Sequence, residues 1–488
     1  MKVIEEYKIS YEFIVAKVKI FKLPNEFVPI YSLQLPEIEK ATRIILDEIK
    51  DELVSEVPLL ENVDLQTYEK IKREFFEKAK NKIKEYIKTI DEKTLHFLAN
   101  VLVIEMLGIG ILEFLINDGN LEEIVVNSSK EPIWVYHRKY GWLKTDIYIP
   151  SEQQIFNIAS LIGRRVGRQI NILNPLLDAH LITGDRVNAT LFPISSFGNT
   201  ITIRKFRRIP WTIVDLINSK TINFETAAFL WQAIQYELNI IIAGGTGSGK
   251  TSLLNAILNF IPANQRIISI EQTREIQLPS YMHWVPLVTR EYTIEEKGKI
   301  TMYDLLVNSL RMRPDRIVVG EVRRAEEAEV LFEAMHTGHS VYATLHADTA
   351  QQAYKRLTNP PINIPEIVIE SLHLFAVMYR DRRRNIRRLF QISEIVPFIS
   401  EKVNDLYKWD PSKDEIIKAN RSLRIEEEYA NFIGLSKTEL EKDLSEKIEI
   451  LKWLVKNKIN SIEAIGKIVN EYYFNKDELM KRIKKGKK

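Results

Sequence analysis

The residues with the plainest chemistry run from Gly244 through Gly245, Thr246, Gly247, Ser248, Gly249 and Lys250 to Thr251, with Ser252 next. The pattern is G-x-x-x-x-G-K-T. An apolar run, NIIIAG, leads into it and a helical pattern, SLLNAILNFI, follows. Glycines let such a loop close around phosphate oxygens with its N–H groups turned inward. The start of the following helix adds a positive dipole end. Lys250 can reach β- and γ-phosphates, and Thr251 can ligate Mg²⁺. The loop alone says only that the chain handles a nucleoside triphosphate with Mg²⁺.

Acidic residues follow in two places. IISIEQTREIQ is expected to be a strand ending at Glu271 and Glu275. Carboxyl ends of parallel strands face the ligand crevice, so either glutamate is a candidate to hold Mg²⁺ directly or through water. Plain surface charge is the competing reading. RPDRIVVGEVR contains a second expected strand, 317–319, followed by Gly320 and Glu321. A Walker-B strand normally supplies an aspartate to Mg²⁺, and here Gly320 stands in that place. Glu321 is then the candidate to orient and deprotonate the attacking water.

Three of the eight histidines lie in AMHTGHSVYATLHADTA: His336, His339 and His346. Zinc is not expected, because the chain has no cysteine and Asp348 is the carboxylate at hand. The strand SVYATL should carry His346 to the sheet edge beside the nucleotide, to sense or orient the γ-phosphate. His339 falls at that strand's start. Arg204, Arg207 and Arg208 precede the loop by about forty residues. An arginine from a neighbouring domain that neutralises γ-phosphate charge is worth roughly 10³–10⁵ in rate. A second arginine run, 380–388, is expected at a charged hairpin tip between FAVMY and RLFQISEIV. It lacks the aromatic interleaving of a single-strand nucleic-acid platform.

These residues need elements to hold them. The chain has 488 residues, enough for about three domains. Hydrophobic residues make up 45%, which supports real cores and excludes wholesale disorder. The formal charge is +3, so a protein that grips nucleic acid along its whole length is not expected. Absent cysteine excludes disulfides, thiolate zinc and cysteine nucleophiles. The first twenty residues are charged throughout, unlike a signal peptide. The most apolar stretch, 101–116, contains Glu105 and Glu113 and is shorter than the ~20 residues of a spanning helix. A buried helix is expected there, in a cytoplasmic protein.

Residues 1–99 are expected to be mostly helical, with short strand-like runs. Residues 100–208 alternate strands with one amphipathic helix, capped by a Ser-x-x-Gln start at Ser151, and form a small α+β domain. Pro210 lies in an expected hinge, 209–213. Strands and helices then alternate over 214–400, which predicts a parallel sheet with helices on both faces. A charged helical pattern fills 401–488.

Together these motifs resemble the type II/IV secretion ATPase superfamily, the hexameric motors of type II secretion, type IV pili and archaella. The resemblance covers about residues 100 to 400. GGTGSGKT is similar to its Walker A loop and IEQTRE to its Asp box. LRMRPDRIVVGEVR is similar to its atypical Walker B, and TGHSVYATLH to its His box. LEEIVVN, HRKYGWLKT, GDRVNATL and TIRKF resemble its N-terminal domain. The resemblance implies a RecA-like core after a PAS-like α+β domain. It implies Lys250 and Thr251 at phosphate and metal, Glu275 as the Asp-box acid, Glu321 as base, and His346 as sensor. Thr251, Glu275 and Glu321 are the implied metal residues. Arg204 matches a family arginine that approaches the phosphates, with Arg186 a second candidate. Gln272 replaces an aspartate of the Asp box. Without cysteine the chain lacks the zinc element of many bacterial type II members. That absence and the helical end, LKWLVKNKINSIEAIGKIVNEYY, place the resemblance with archaeal-type members.

The function expected from this resemblance is a homohexameric cytoplasmic ATPase at the inner face of the membrane. It would drive assembly of type IV pilus-like filaments through a polytopic platform protein, acting on pilin-like subunits indirectly. An archaellum motor and a conjugation-type DNA-transfer ATPase are the alternatives. No nucleic-acid partner is expected.

Overall fold

The computed structural model describes residues 2–56, 65–206, 210–290, 298–397, 399, 402–428 and 433–485. The chain forms two units, Met1–Arg207 with Thr293–Lys297, and Arg208–Tyr292 with Gly298–Lys488.

The first unit holds one nine-stranded sheet. Its strands are β1 Lys2–Tyr11, β2 Ile14–Lys22, β3 Ile30–Gln34, β4 Leu121–Val126, β5 Trp134–His137, β6 Gly141–Thr145, β7 Leu176–His180, β8 Arg186–Thr190 and β9 Thr200–Arg204. Their order is β1-β2-β3-β6-β5-β4-β9-β8-β7. Only β3 with β6 runs parallel. Ile124, Val135, Leu143 and Ile203 meet Ile155, Ala159 and Ile162 of the helix Glu152–Arg165 in its core. Ser151 caps that helix, its side chain accepting from the N–H of Gln154. Three further helices, Lys40–Leu53, Leu65–Tyr86 and Glu92–Met106, build a separate core around Leu46, Phe75, Leu98 and Leu102.

The first 34 residues depart from the mostly helical expectation. They form three strands continuous with the sheet of the following residues. The physical reason is the period of two in β2, where Ile14, Ala16, Val18 and Ile20 all turn inward. An expected boundary at 99/100 falls inside the helix Glu92–Met106. The apolar stretch 101–116 is broken: that helix ends, Gly110 takes a positive φ of 65°, and Leu112–Asn117 starts anew. Arg43 and Lys50 pair with Glu105. Among the described residues no helix is long and apolar enough to cross a membrane.

The second unit holds another nine-stranded sheet. Its strands are β10 Ile240–Gly244, β11 Ile267–Glu271, β12 Trp284–Val288, β13 Arg316–Val319, β14 Ser340–Leu345, β15 Leu374–Asp381, β16 Ile386–Ile395, β17 Val403–Asp410 and β18 Glu415–Lys418. Their order is β12-β11-β13-β14-β10-β15-β16-β17-β18. The six strands from β12 to β15 are parallel, and the rest join antiparallel. Two apolar cores cover its two faces. That is why β10, β11, β13 and β14 are buried at every residue and read as mostly apolar runs, interrupted by Ser269, Glu271, Arg316, Ser340 and Thr344.

An expected boundary at 400/401 cuts this sheet, because β17 and β18 lie beyond it. The helices Lys437–Lys456 and Ile462–Phe474 pack into one of the two cores rather than trailing from it. Trp231 stacks on Phe260 at 4.9 Å between ring centroids, and its indole N–H donates to Tyr473 Oη at 2.8 Å. The sequence changes unit at Arg207/Arg208. Of the expected hinge and its arginines, residues 207–209 lie outside the described residues, as do 486–488 of the basic tail.

Candidate functional site

The phosphate loop leaves the buried end of β10 and enters the helix Lys250–Leu258 through Gly249, whose φ is +99°. Gly244 is demanded by space as well, because a Cβ there would meet the backbone carbonyl oxygen of Met378. Gly247 has a φ of +71°, and a Cβ there would lie 2.7 Å from Arg380 Nη1, the movable end of a side chain. Lys250 is buried, and its Nζ donates to Gly244 O at 2.9 Å and Gly245 O at 3.0 Å. The ammonium thus spans the loop's own carbonyls, where a phosphate would compete for it. Ser248 Oγ is buried, with no hydrogen-bond partner. Thr246 is exposed, while Thr251 and Ser252 are half-buried in the first helical turn.

Glu321 and His346 follow β13 and β14, two adjacent parallel strands, and β14 pairs with β10 on its other side. The sheet therefore delivers loop, glutamate and histidine to one edge. His346 Nε2 lies 3.0 Å from Glu321 Oε1. Burial lowers the His346 pKa, and the nearby Lys250 charge lowers it further. The neutral ring then donates from Nε2 to the carboxylate. The other carboxylate oxygen, Oε2, accepts from Arg323 Nη2 at 2.6 Å. Arg323 Nη1 also reaches Gln272 Oε1 at 2.9 Å. Gln272 thus joins Glu321 through an arginine, a link that an aspartate there could also make.

Glu271 ends β11 and is 2% exposed. Its Oε1 accepts the N–H groups of Glu275 (2.9 Å) and Ile276 (3.1 Å). Its Oε2 is buried without a partner. Burial pushes its pKa up to about 7. A Cβ on residue 320 would stand 3.2 Å from Glu271 Cγ. Glu271 therefore crowds the space into which a Walker-B side chain at 320 would start. Glu275 is half-buried four residues past the strand end, held to Glu271 by its backbone.

Among the described residues there is no preformed cluster of three or more His, Cys, Asp or Glu that could hold a metal. Mg²⁺ does not need one, since it keeps waters and binds through one or two carboxylates plus phosphates. The hard oxygens of Thr251, Glu321 and the orphaned Glu271 Oε2 suit such an ion.

His339 stands at the opposite, amino edge of β14, its Nδ1 3.2 Å from both Thr337 Oγ1 and Ala334 O. It caps a helix and does not join the site. Arg204 and Arg186 face each other across β9 and β8 in the first unit. Arg186 is held bidentate by Asp178, at 3.1 and 2.6 Å, whereas Arg204 is exposed and lies opposite Glu123.

Three contributors have no role that the motifs assign: Arg323, the last residue of RPDRIVVGEVR, and the hairpin residues Arg380 and Arg387. Arg387 Nε donates to Gly247 O at 2.9 Å, across 140 residues of sequence. A charged hairpin tip in sequence gives no hint that it returns to the loop.

The family described as type II/IV secretion system protein matches residues 181–378, which include the loop, Glu321 and His346. The uncharacterized protein MJ0900 of Methanocaldococcus jannaschii is 35% identical over 391 residues, spanning 78% of this chain and 69% of that one. The putative conjugal transfer protein Rv3659c of Mycobacterium tuberculosis is 33% identical, over 53% of this chain and 75% of that one. The type IV secretion system protein PtlH of Bordetella pertussis is 31% identical, over 49% of this chain and 76% of that one.

Proposed function

The chain belongs to the type II/IV secretion system proteins, and we propose that it hydrolyses ATP with Mg²⁺ as a motor for filament assembly or secretion. The observation that carries this is the meeting of the Lys250 loop with the Glu321–His346 pair at one sheet edge.

In this reading the loop's N–H groups and Lys250 hold the β- and γ-phosphates. Thr251, Glu275 and Glu321 would hold Mg²⁺ directly or through water, and the ion would supply positive charge against the phosphates. Glu321 takes a proton from water as its oxygen bonds to the γ-phosphorus and the bond to the β-phosphate oxygen breaks. His346 and Arg323 fix the carboxylate for that step. Arg204 reaches the phosphates when the segment 209–213 closes, from the same or a neighbouring subunit. The second unit is a RecA-like core and residues 100–208 a PAS-like domain. Six copies form a ring under a polytopic membrane platform, in the cytoplasm, and act on pilin-like subunits indirectly, through that platform. Kinship with MJ0900 supports an archaeal-type member.

The test is Mg²⁺-dependent phosphate release by the purified chain, lost in Lys250→Ala, with light scattering in ATP and Mg²⁺. Normal nucleotide affinity in Lys250→Ala would reject the loop assignment. A monomer under all conditions would reject the ring. A second reading, DNA transfer, draws on kinship with the putative conjugal transfer protein Rv3659c. DNA-stimulated, salt-sensitive turnover would favour it, against the near-neutral +3 charge. An archaellum motor would share every residue named here.

A further inference from the structure

The hairpin of β15 and β16 carries six arginines between residues 380 and 388, and they divide by what they touch. Arg388 is buried and grips Asp414 with two bonds, 2.7 and 2.8 Å. Arg383 and Arg384 donate backbone N–H groups to Asp381 Oδ1 at the turn. Arg382 is exposed. Arg380 and Arg387 differ: both are half-buried, and they stand directly opposite each other across the two strands.

Like charges placed directly opposite in an antiparallel pair cost stability. Both guanidinium groups nevertheless lie against the phosphate loop. Arg387 Nε bonds Gly247 O, and a Cβ on Gly249 would lie 3.5 Å from Arg387 Cδ. Arg380 Nη1 fills the place of a side chain at Gly247. In a planar trans peptide the C=O and the following N–H point in opposite directions. Anchoring Gly247 O to the hairpin therefore turns the N–H of Ser248 to the other side. There it now makes a 3.3 Å bond to Gly245 O, long enough to yield to a phosphate oxygen.

We propose that Arg380 and Arg387 form a dibasic brace for the polyphosphate of a nucleoside di- or triphosphate. Arg387 is a positioning residue that sets the loop. The pair adds positive charge on the hairpin side, and an anion in the loop offsets their mutual repulsion. The proposal rests on the phosphate-loop reading above and deepens it. This charge belongs to the same unit as the loop, unlike Arg204.

The test uses the full chain and a fluorescent ATP analogue, with competition by ATP and ADP. Arg387→Gln and Arg380→Gln should each weaken binding about tenfold, as loss of a charge-assisted contact does. The loss should fall on KM rather than on kcat. Melting without nucleotide should be unchanged or raised, because a repulsive pair is removed. Arg380→Lys should recover most of the affinity. Unchanged affinity in both glutamine variants overturns the proposal. So does a lowered melting temperature without nucleotide, with affinity intact at low temperature, the mark of a purely structural hairpin. If the unaltered chain itself binds no ATP, the phosphate-loop reading fails first, and this proposal with it.

Discussion

His346 Nε2 and Glu321 Oε1 stand 3.0 Å apart at the ends of neighbouring strands β14 and β13. A neutral imidazole that donates to a carboxylate fixes its direction without cancelling its charge. His346→Ala should therefore free Glu321 to rotate and lower kcat by about tenfold, with KM little changed. Glu321→Gln should still bind ATP and lose about 10²–10⁴ in kcat. Steady-state kinetics of both variants check this. Wild-type kcat in Glu321→Gln would reject its role as base.

Glu271 gives a pH signature. Burial raises its pKa to about 7 in the fold, above the usual carboxylate range. Between about pH 4.5 and 7 the folded state holds a proton that the unfolded state has released. Stability from this group is thus fully present below about 4.5 and lost as pH rises through 7. The full loss is about 3 kcal/mol at most. Glu271→Gln should flatten that fall. Denaturant unfolding of both proteins at pH 5 and pH 8 measures it. An equal fall in both would show that Glu271 is not held protonated.

A side chain at 320 would crowd Glu271. With a Cβ at 320 only 3.2 Å from Glu271 Cγ, Gly320→Ala should cost about 1–3 kcal/mol. In a Glu271→Ala background the same change should cost clearly less. The difference is a coupling energy read from a double-mutant cycle. Additive effects would mean that the two positions do not compete.

What could be read from sequence follows from distance along the chain. Loop, Glu321 and His346 each sit at the end of one strand, so strand periodicity and motif spacing already locate them. Arg387 could not be found that way. Its contact with Gly247 spans 140 residues and depends on β15 lying beside β10. Arg323 likewise meets Gln272 only because β11 and β13 are neighbours. Periodicity shows which face of an element is apolar, not what covers it. The short strands at the start of the chain and the helices at its end were therefore visible as elements, but not as parts of the two sheets and cores they complete. β7, LLDAH, is too short to stand out from the loop before it.

The terminal helices should be inseparable from the catalytic unit, and Lys447 provides the measurement. Its side chain is fully buried, paired with Asp443 Oδ1, and 4.8 Å from the Tyr472 ring centroid. Burial lowers its pKa to about 8. Asp443 also accepts from Gln232 (2.9 Å) on a preceding helix and from Tyr472 (2.7 Å) on the next. Removing one member of a buried ion pair leaves the other uncompensated, at about 3–5 kcal/mol, whereas replacing both by apolar residues is far milder. Lys447→Met should lower stability by about 3 kcal/mol, and Lys447→Met with Asp443→Leu by less than the sum of the single changes. Because Trp231 stacks on Phe260 and meets Tyr472 of this cluster edge-on, the loss should appear as one cooperative transition of the whole second unit. A separate early transition of residues 437–485, with the ATP site still folded, would show that these helices are an independent extension.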